Sequence, residues 1–168
     1  RIRKIDLSGV ITTLAGRGSW RLQGFNGDGG PATQALLSSP NGIAVDRDGN
    51  IYIADTWNHS IRRVDPNGVI TTFAGSGPVG TDSTGKSLGS FAGDGGLATQ
   101  ARLNLPNSVA IDAIGNVYLA GTDRYQYDTV NHRIRKVDKN GIISTFAGVG
   151  TSSWEIGNYI KGEGGPAV

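Results

Sequence analysis

Two histidines stand at equivalent positions of a repeated segment, and they are the side chains most suited to chemistry. His59 and His132 each follow an asparagine, Asn58 or Asn131, just before a predicted strand. An imidazole there could ligate a metal ion or act as a catalytic base. A residue that recurs in successive structural units usually serves the unit. The sequence therefore favours a loop histidine that hydrogen-bonds the backbone of its own hairpin.

A second recurring group is the acidic residue of G-[DE]-G-G, which is Asp28, Asp94 or Glu163. A carboxylate among glycines could bind Ca²⁺, but a calcium loop spaces several oxygen ligands and here one acid stands alone. The segment also lacks the G-x-x-x-x-G-K-[ST] pattern of a phosphate loop. Pro31, three residues after Asp28, has no N–H to donate to the Asp28 carboxylate as an N-cap requires. An Asx-type turn leading into a short helix is the favoured interpretation.

Basic residues recur in the third strand of each repeat, and each of these strands ends at an aspartate. If successive repeats stack, their basic residues could align into a stripe that binds phosphates. Aromatic interleaving for base stacking is missing, so nucleic acid is not favoured as a partner. We interpret the basic residues as structural, because the aliphatic parts of their side chains can cover neighbouring repeats. The aspartates are available to pair with them locally. The basic residues are Arg1, Arg3, Lys4, Arg62, Arg63, Arg133, Arg135 and Lys136, and the aspartates are Asp6, Asp65 and Asp138.

Aromatic side chains concentrate in predicted loops, where exposed aromatics are a signal of binding. Two interpretations remain open, because these rings could contact a partner or could fill gaps between loops. Residues assigned to the candidate binding face are Trp20, Trp57, Asn58, His59, Tyr125, Tyr127, Asn131, His132 and Trp154, with Tyr159 nearby. No Ser–His–Asp order, close carboxylate pair or three-histidine set suggests a catalytic or metal site. We therefore assign no catalytic residue, metal or cofactor.

The composition indicates a glycine-rich domain of many short strands. The chain has 168 residues, 27 of them glycine, and a net charge of +2. This near-balance of charge gives weak support for nucleic acid. Without cysteine there is no disulfide framework or thiolate metal site. No apolar run approaches the roughly 18 residues of a membrane span.

The elements that position these residues are short strands joined by tight turns. Residues 41–75 predict four strands at 42–45, 51–54, 61–64 and 69–74. The turns DRDGN and DPNG carry the Asp, Asn, Pro and Gly that reverse a chain. Four strands joined in this way form one antiparallel propeller blade. GDGGPATQALLSSP and its copy predict a helix of one or two turns before each blade, with Pro31 in its first position.

Repeats of about 60 residues vary in length at only two places. From Gly27 to Gly93 and from Pro40 to Pro106 the offset is 66 residues. GTDRYQY, at 121–127, is an insertion after the second strand of the later copy. Insertions fall only in the loops of one face of a blade, which we call the variable face; tight turns of constant length form the opposite, short-turn face. Whether the variable face binds a partner or merely tolerates longer loops stays open.

The segments NHSIRRVD and NHRIRKVD, with G-N-[IV]-Y-[IL]-A before them and N-G-x-I-[ST]-T-F-A-G after them, resemble NHL repeats. The GDGGPATQA connections are similar to those of long NHL repeats in bacterial surface and multidomain proteins. This resemblance covers essentially the whole chain and implies an all-β propeller, usually of six blades, that acts mostly as a protein- or ligand-binding platform. Ser60, where the other copies have arginine, and the insertion before Asp128 depart from the pattern.

We predict an all-β fold of propeller blades with short helical connections. The expected divisions are a half blade (1–16), a connection (17–40), a blade (41–75), a connection (76–106), a blade (107–148) and the start of a further connection (149–168). The expected function is non-catalytic binding or scaffolding, with a protein or small ligand as partner, in a larger extracellular, cell-surface or periplasmic protein. Alternatives are a lyase- or hydrolase-like enzyme that uses the central channel, and a building block of a surface assembly.

Three expectations follow from the blade assignment. Inner-strand side chains should be buried between blades; they are Ile43, Val45, Ile51, Ile53, Val109, Ile111, Val117 and Leu119. A partner should contact the variable face rather than the tight turns at 48–49 or 67–68. Because two and a half blades cannot close a ring, we also expect these residues to belong to a polypeptide of about six blades, and to aggregate or order poorly when expressed alone.

Overall fold

The computed structural model describes residues 1–18, 24–83, 85, 87–121, 132–148 and 150. Its main elements are two four-stranded antiparallel sheets, in each of which strands that are consecutive in the sequence are neighbours. Two further hairpins form separate two-stranded sheets. The all-β blade fold predicted from the sequence is therefore confirmed.

The strands are short, as the spacing of turn residues predicts. The first hairpin consists of β1 (Ile2–Ile5) and β2 (Ile11–Ala15). The first four-stranded sheet consists of β3 (Pro40–Val45), β4 (Ile51–Asp55), β5 (Ser60–Val64) and β6 (Ile70–Ala74). The small hairpin is β7 (Gly80–Thr81) with β8 (Ser87–Leu88). The second four-stranded sheet consists of β9 (Pro106–Ile111), β10 (Val117–Gly121), β11 (Ile134–Val137) and β12 (Ile143–Ala147).

Each tight turn is held by the aspartate that opens it. The Asp112 carboxylate accepts hydrogen bonds from the backbone N–H of Ile114 at 3.0 Å and of Asn116 at 2.9 Å, and from the Asn116 amide at 2.7 Å. These bonds, with the Asn116 side chain contributing most, hold the pKa of Asp112 below its usual value. Asp46 makes the equivalent bonds to Asp48 and Asn50. Local hydrogen bonding thus explains why turn lengths on this face are constant.

The connection before each blade contains a single 3₁₀ turn, at Ala32–Gln34 and again at Ala98–Gln100. The predicted helix of one or two turns was too long, and Pro31 precedes the turn in an extended conformation instead of beginning it. The physical reason is that the backbone pairs with the next sheet. Gly29 N–H donates to the Ile70 carbonyl, and Ala32 N–H donates to the Gly68 carbonyl, each at 2.8 Å.

Two apolar clusters fill the spaces between neighbouring sheets. One lies between the two four-stranded sheets and includes Ile61, Leu103 and Val109. The other lies between the β1–β2 hairpin and the first four-stranded sheet and includes Leu37 and Ile53. Such packing of consecutive antiparallel sheets is the blade-on-blade arrangement of a propeller. Among the described residues, no helix is long and apolar enough to cross a membrane.

Six of the eight inner-strand residues predicted to be buried are buried or partly buried. Ile53, Val109, Val117 and Leu119 are buried, and Ile51 and Ile111 are partly buried. The prediction was wrong for Ile43 and Val45, whose side chains are 49% and 60% exposed.

Strand alternation explains this difference. Gly42 and Ala44 occupy the face of β3 that meets β9: a Cβ atom on Gly42 would lie 2.6 Å from the Asn107 carbonyl oxygen. Ile43 and Val45 therefore lie on the opposite face. No strand in the described part of the chain covers that face, because the preceding sheet contains only β1 and β2.

Candidate binding face

A buried arginine joins each four-stranded sheet to the connection that precedes it. Arg62, in β5, is fully buried. Its guanidinium donates to the carboxylate of Asp28, to the Asn26 carbonyl at 3.4 Å and to the Leu36 carbonyl at 3.5 Å. The other Asp28 oxygen accepts the Thr72 N–H of β6 at 2.9 Å. We call this arrangement of acidic residue, arginine and threonine the inter-blade clamp.

The second sheet contains an equivalent clamp. The Arg135 guanidinium donates to Asp94 from Nε at 2.9 Å and from Nη2 at 2.6 Å, and the Thr145 N–H donates to the other Asp94 oxygen at 2.9 Å. Burial opposes ionisation of Asp94, but the bonds from Thr145 and Arg135 outweigh it and hold the pKa of Asp94 below its usual value. The same geometry in two repeats shows that the G-[DE]-G-G acid is a structural element of the repeat.

The clamps correct two predictions. Asp28 and Asp94 were interpreted as Asx-turn residues, but their carboxylates bind an arginine and a backbone N–H of the next sheet. Arg62 and Arg135 are structural, as predicted, although their described carboxylate partners are not the aspartates that end their strands. Those aspartates hold the following turns through bonds to the N–H of Val10, Val69 and Ile142 at 2.9 Å; they are Asp6, Asp65 and Asp138.

A buried carboxylate extends the first clamp toward the variable face. Asp55, the last residue of β4, is fully buried. It accepts hydrogen bonds from Ser38 N–H at 2.6 Å, Asn58 Nδ2 at 2.7 Å and Arg62 at 3.4 Å. Burial is the dominant effect and raises the pKa of Asp55 to about 6, although these donors oppose the increase. Asp55 was not among the residues selected from the sequence. The feature that could have identified it is its position as the aspartate of the D-T-x-N-H segment, which occurs in each complete repeat.

Asn58 and His59 were assigned to the candidate binding face, and both are buried. Asn58 Nδ2 also donates to the Gly24 carbonyl at 2.6 Å. His59 adopts a left-handed conformation with φ 51°, and its Nδ1 accepts the Leu105 N–H at 3.1 Å. This bond joins the histidine to the connection that leads to the next sheet, a contact that the sequence prediction did not include. Because both side chains are enclosed by the chain itself, we exclude them from the proposed binding surface.

The remaining candidate residues are only partly within the described structure. Trp57 is half-buried in the 3₁₀ turn between β4 and β5, and its backbone N–H donates to the Ser38 carbonyl at 3.1 Å. His132 is exposed just before β11. The other predicted binding residues lie outside the described residues; they are Trp20, Tyr125, Tyr127, Asn131 and Trp154.

The hairpin β7–β8 is an element that the sequence prediction missed. It lies in the connection at 76–106, which is longer than the connection at 17–40 and for which no strand was predicted. Val79 N–H donates to the Leu88 carbonyl at 2.8 Å, and both side chains are partly exposed. At the two ends of this loop, Gly77 lies against Phe25 and Gly89 lies against His59. The hairpin therefore borders the same face as Trp57. The available signal was the length difference between the connections.

Within the described residues, no group of three or more His, Cys, Asp or Glu side chains could hold a metal ion. The charged residues of the clamps bond to one another and to backbone groups. The described geometry therefore provides four-stranded sheets that buried arginines join to the connections before them.

Stacked four-stranded sheets, the NHL motifs and the repeated clamps define the class as an NHL-repeat β-propeller. A family model described as "Teneurin NHL domain" matches residues 22–87 and 89–155. The chain belongs to this family, and the predicted resemblance to NHL repeats is confirmed.

Similar proteins include mouse Teneurin-1, which is 39% identical over 135 residues, covering 77% of this chain and 5% of that protein. The Arabidopsis thaliana protein SUPPRESSOR OF QUENCHING 1, chloroplastic, is 33% identical over 144 residues, covering 83% of this chain and 12% of that protein. A crystal structure of a Bacteroides thetaiotaomicron protein of unknown function has a TM-score of 0.55 and 29% identity, covering 71% of this chain and 27% of that chain. This chain thus spans a small part of each.

Proposed function

We propose that this chain is part of a non-catalytic propeller that binds a protein or small ligand at its variable face. The observation that supports the proposal is that the two faces differ in structure. The tight turns are held by repeated aspartate bonds. The variable face carries the β7–β8 hairpin and half-buried Trp57, and the sequence predicts that the inserted segment 121–127 lies there as well. Binding proteins commonly place recognition residues on loops held by a rigid frame.

The composition of this face suits recognition of a protein. Phe25, Val79 and Leu88 are large apolar residues that are partly exposed. Trp57 adds an aromatic surface with a polar N–H, which is a combination typical of interface centres. We place the complete protein outside the cytoplasm, at a cell surface or in a periplasm, in keeping with the bacterial surface proteins whose repeats the motifs resemble.

Alanine substitution on opposite faces tests the proposal. Arrays of extracellular protein domains and of small ligands would first identify a binder of a purified protein that contains this chain. Trp57→Ala should then weaken that binding by about tenfold or more, since central aromatic residues dominate many interfaces. Ile114→Ala is the matched control, because Ile114 is an exposed apolar residue on the short-turn face. Loss of binding in the Ile114 variant alone would place the partner on the opposite face and contradict the proposal. Conversion of a bound small ligand into product would support an enzyme instead.

A further inference from the structure

An open recess, which we call the Phe25 recess, lies where the first connection meets the first four-stranded sheet. Its volume is about 310 Å³. The residues that line it are Phe25, Asn26, Gly27, Asp28 and Arg62. Phe25 is 41% exposed and the Asp28 side chain is 46% exposed. Gly77, in the connection that contains the β7–β8 hairpin, lies against the same ring. An aromatic face and a carboxylate, both accessible to solvent, therefore share one recess.

The second repeat shows which kind of group such a ring binds. Phe91, the equivalent of Phe25, lies against two guanidinium groups. The Cζ atoms of Arg133 and Arg135 are 4.0 and 4.7 Å from the centre of the Phe91 ring. A cation at this distance is attracted by the negative face of an aromatic ring, and arginine makes this contact more often than lysine. The repeat is therefore suited to hold a cation beside this ring.

The first repeat replaces one of these two arginines with an uncharged residue. Arg62 corresponds to Arg135, and its Cζ atom is 5.1 Å from the centre of the Phe25 ring. Ser60 occupies the position of Arg133. Its side chain is fully buried and carries no charge. The Phe25 recess thus offers an aromatic face to a cation that position 60 does not supply.

The charges at the Phe25 recess also favour a cation. The Arg62 guanidinium is shared between two carboxylates, those of Asp28 and Asp55. Burial opposes ionisation of Asp28, but the bonds from Thr72 and Arg62 outweigh it and hold the pKa of Asp28 below its usual value. Above about pH 6 Asp55 is ionised as well, so the three groups together carry one net negative charge. Asp28 is the exposed member of the three and presents this charge to the recess.

We propose that the Phe25 recess binds an arginine side chain of a partner protein. The incoming guanidinium stacks on the Phe25 ring and donates hydrogen bonds to the Asp28 carboxylate. Arginine suits both contacts, because its planar, forked cation can stack on a ring and bind a carboxylate at the same time. This inference rests on the proposed function, since it names one group of the partner that the variable face recognises.

Arginine that is acetylated at its amino end and methylamidated at its carboxyl end is the probe. In a purified protein that contains this chain, we expect it to shift the amide resonances of residues 25–28 saturably near neutral pH, with a Kd on the order of millimolar. Citrulline blocked in the same way has nearly the same shape but no charge, and it should bind about tenfold more weakly. Added salt should weaken the binding of arginine and leave that of citrulline unchanged, because salt screens exposed charges.

Matched variants in the two repeats locate the binding of the probe. Asp28→Asn should weaken the binding of blocked arginine by about tenfold, and Phe25→Leu, which leaves the clamp carboxylate in place, by about threefold. Phe91→Leu is the control and should change the affinity by less than about twofold, because Arg133 and Arg135 already lie against that ring. Unchanged amide resonances of the first four-stranded sheet verify that each variant is folded.

Binding of the partner protein separates this inference from the proposed function. The partner should contain an arginine whose replacement by glutamine weakens binding about tenfold, and Asp28→Asn should abolish that difference, because both changes remove the same pair. If Trp57→Ala weakens binding while Asp28→Asn and Phe25→Leu do not, the inference is wrong and the proposed function stands. If Ile114→Ala alone weakens binding, both are wrong. Blocked arginine that causes no saturable shift, or citrulline that binds equally well, also overturns the inference.

Discussion

Replacing Arg62 with alanine should destabilise the first four-stranded sheet more than replacing Asp28, the exposed partner of Arg62. The guanidinium is fully buried and contacts Asp55, which is also fully buried. Arg62→Ala leaves the Asp55 carboxylate without its cation in a site closed to water. Removing one partner of a buried ion pair typically costs about 3–5 kcal/mol of the free energy of unfolding. We predict a loss in this range near neutral pH, measured by urea denaturation of a protein that contains this chain.

Asp28→Asn is the matched control for this prediction. Asp28 contacts the same guanidinium, but its side chain is 46% exposed. Water and salt screen such a pair, so the expected loss is about 1–2 kcal/mol. Asp55→Asn should partly rescue Arg62→Ala, since neutralising the buried carboxylate removes the uncompensated charge. The two sites are in contact, so a coupling energy of about 1–3 kcal/mol is expected in the double-mutant cycle.

Two outcomes would refute this reasoning. The first is an Arg62→Ala variant that loses no more stability than Asp28→Asn. The second is additivity of Arg62→Ala and Asp55→Asn, which would show that the cost does not come from the buried carboxylate. Equal denaturant slopes in all variants are needed for the comparison, because the slope reports the surface exposed on unfolding.

Three further predictions concern single sites. Burial raises the pKa of Asp55 from 3.8 to about 6. The contribution of the protonated carboxyl to the unfolding free energy is therefore fully present below about pH 3.8 and is lost as the pH rises through 6. The unfolding free energy of Asp55→Asn, measured by urea denaturation from about pH 4 to pH 7, should therefore increase progressively relative to that of the wild type. Parallel dependence of the two free energies on pH would contradict this. Gly75→Ala should lower the melting temperature more than Gly68→Ala, because a Cβ atom at Gly75 would lie 2.5 Å from the His59 carbonyl oxygen while none lies within 4 Å at Gly68; equal shifts would argue against a close contact. His59→Ala should cost about 1–3 kcal/mol of unfolding free energy by leaving the Leu105 N–H without its acceptor, and a neutral effect in urea denaturation would count against this bond.

The sequence allowed the strands and tight turns to be predicted because their causes are local. The third strand was predicted at 61–64 and is observed at Ser60–Val64. The Asp46 and Asp112 turns depend on donors within six residues along the chain. Exposure of Ile43 and Val45 was not predicted, because alternation identifies two faces of a strand but not which face another sheet covers.

The clamps were missed because their partners are distant in sequence. Asp28 and Arg62 are 34 residues apart, and Asp94 and Arg135 are 41 apart. An interpretation of Asp28 from its neighbours can suggest only a turn, whereas the fold places an arginine and a strand N–H beside it. The His59 contact was missed for the same reason, since its acceptor atom meets Leu105, 46 residues later.

Repetition itself indicates where function should be sought. A side chain that recurs at equivalent positions meets an equivalent neighbour in each repeat, so the fold can use it in every copy. Asp28 and Asp94 illustrate this, because both bind the arginine and threonine of the next sheet. A partner-specific contact has no reason to recur with the period of the blades. The residues outside the repeat pattern, namely Trp57, the β7–β8 hairpin and the segment 121–127, are therefore better candidates for recognition than the histidines that first suggest chemistry.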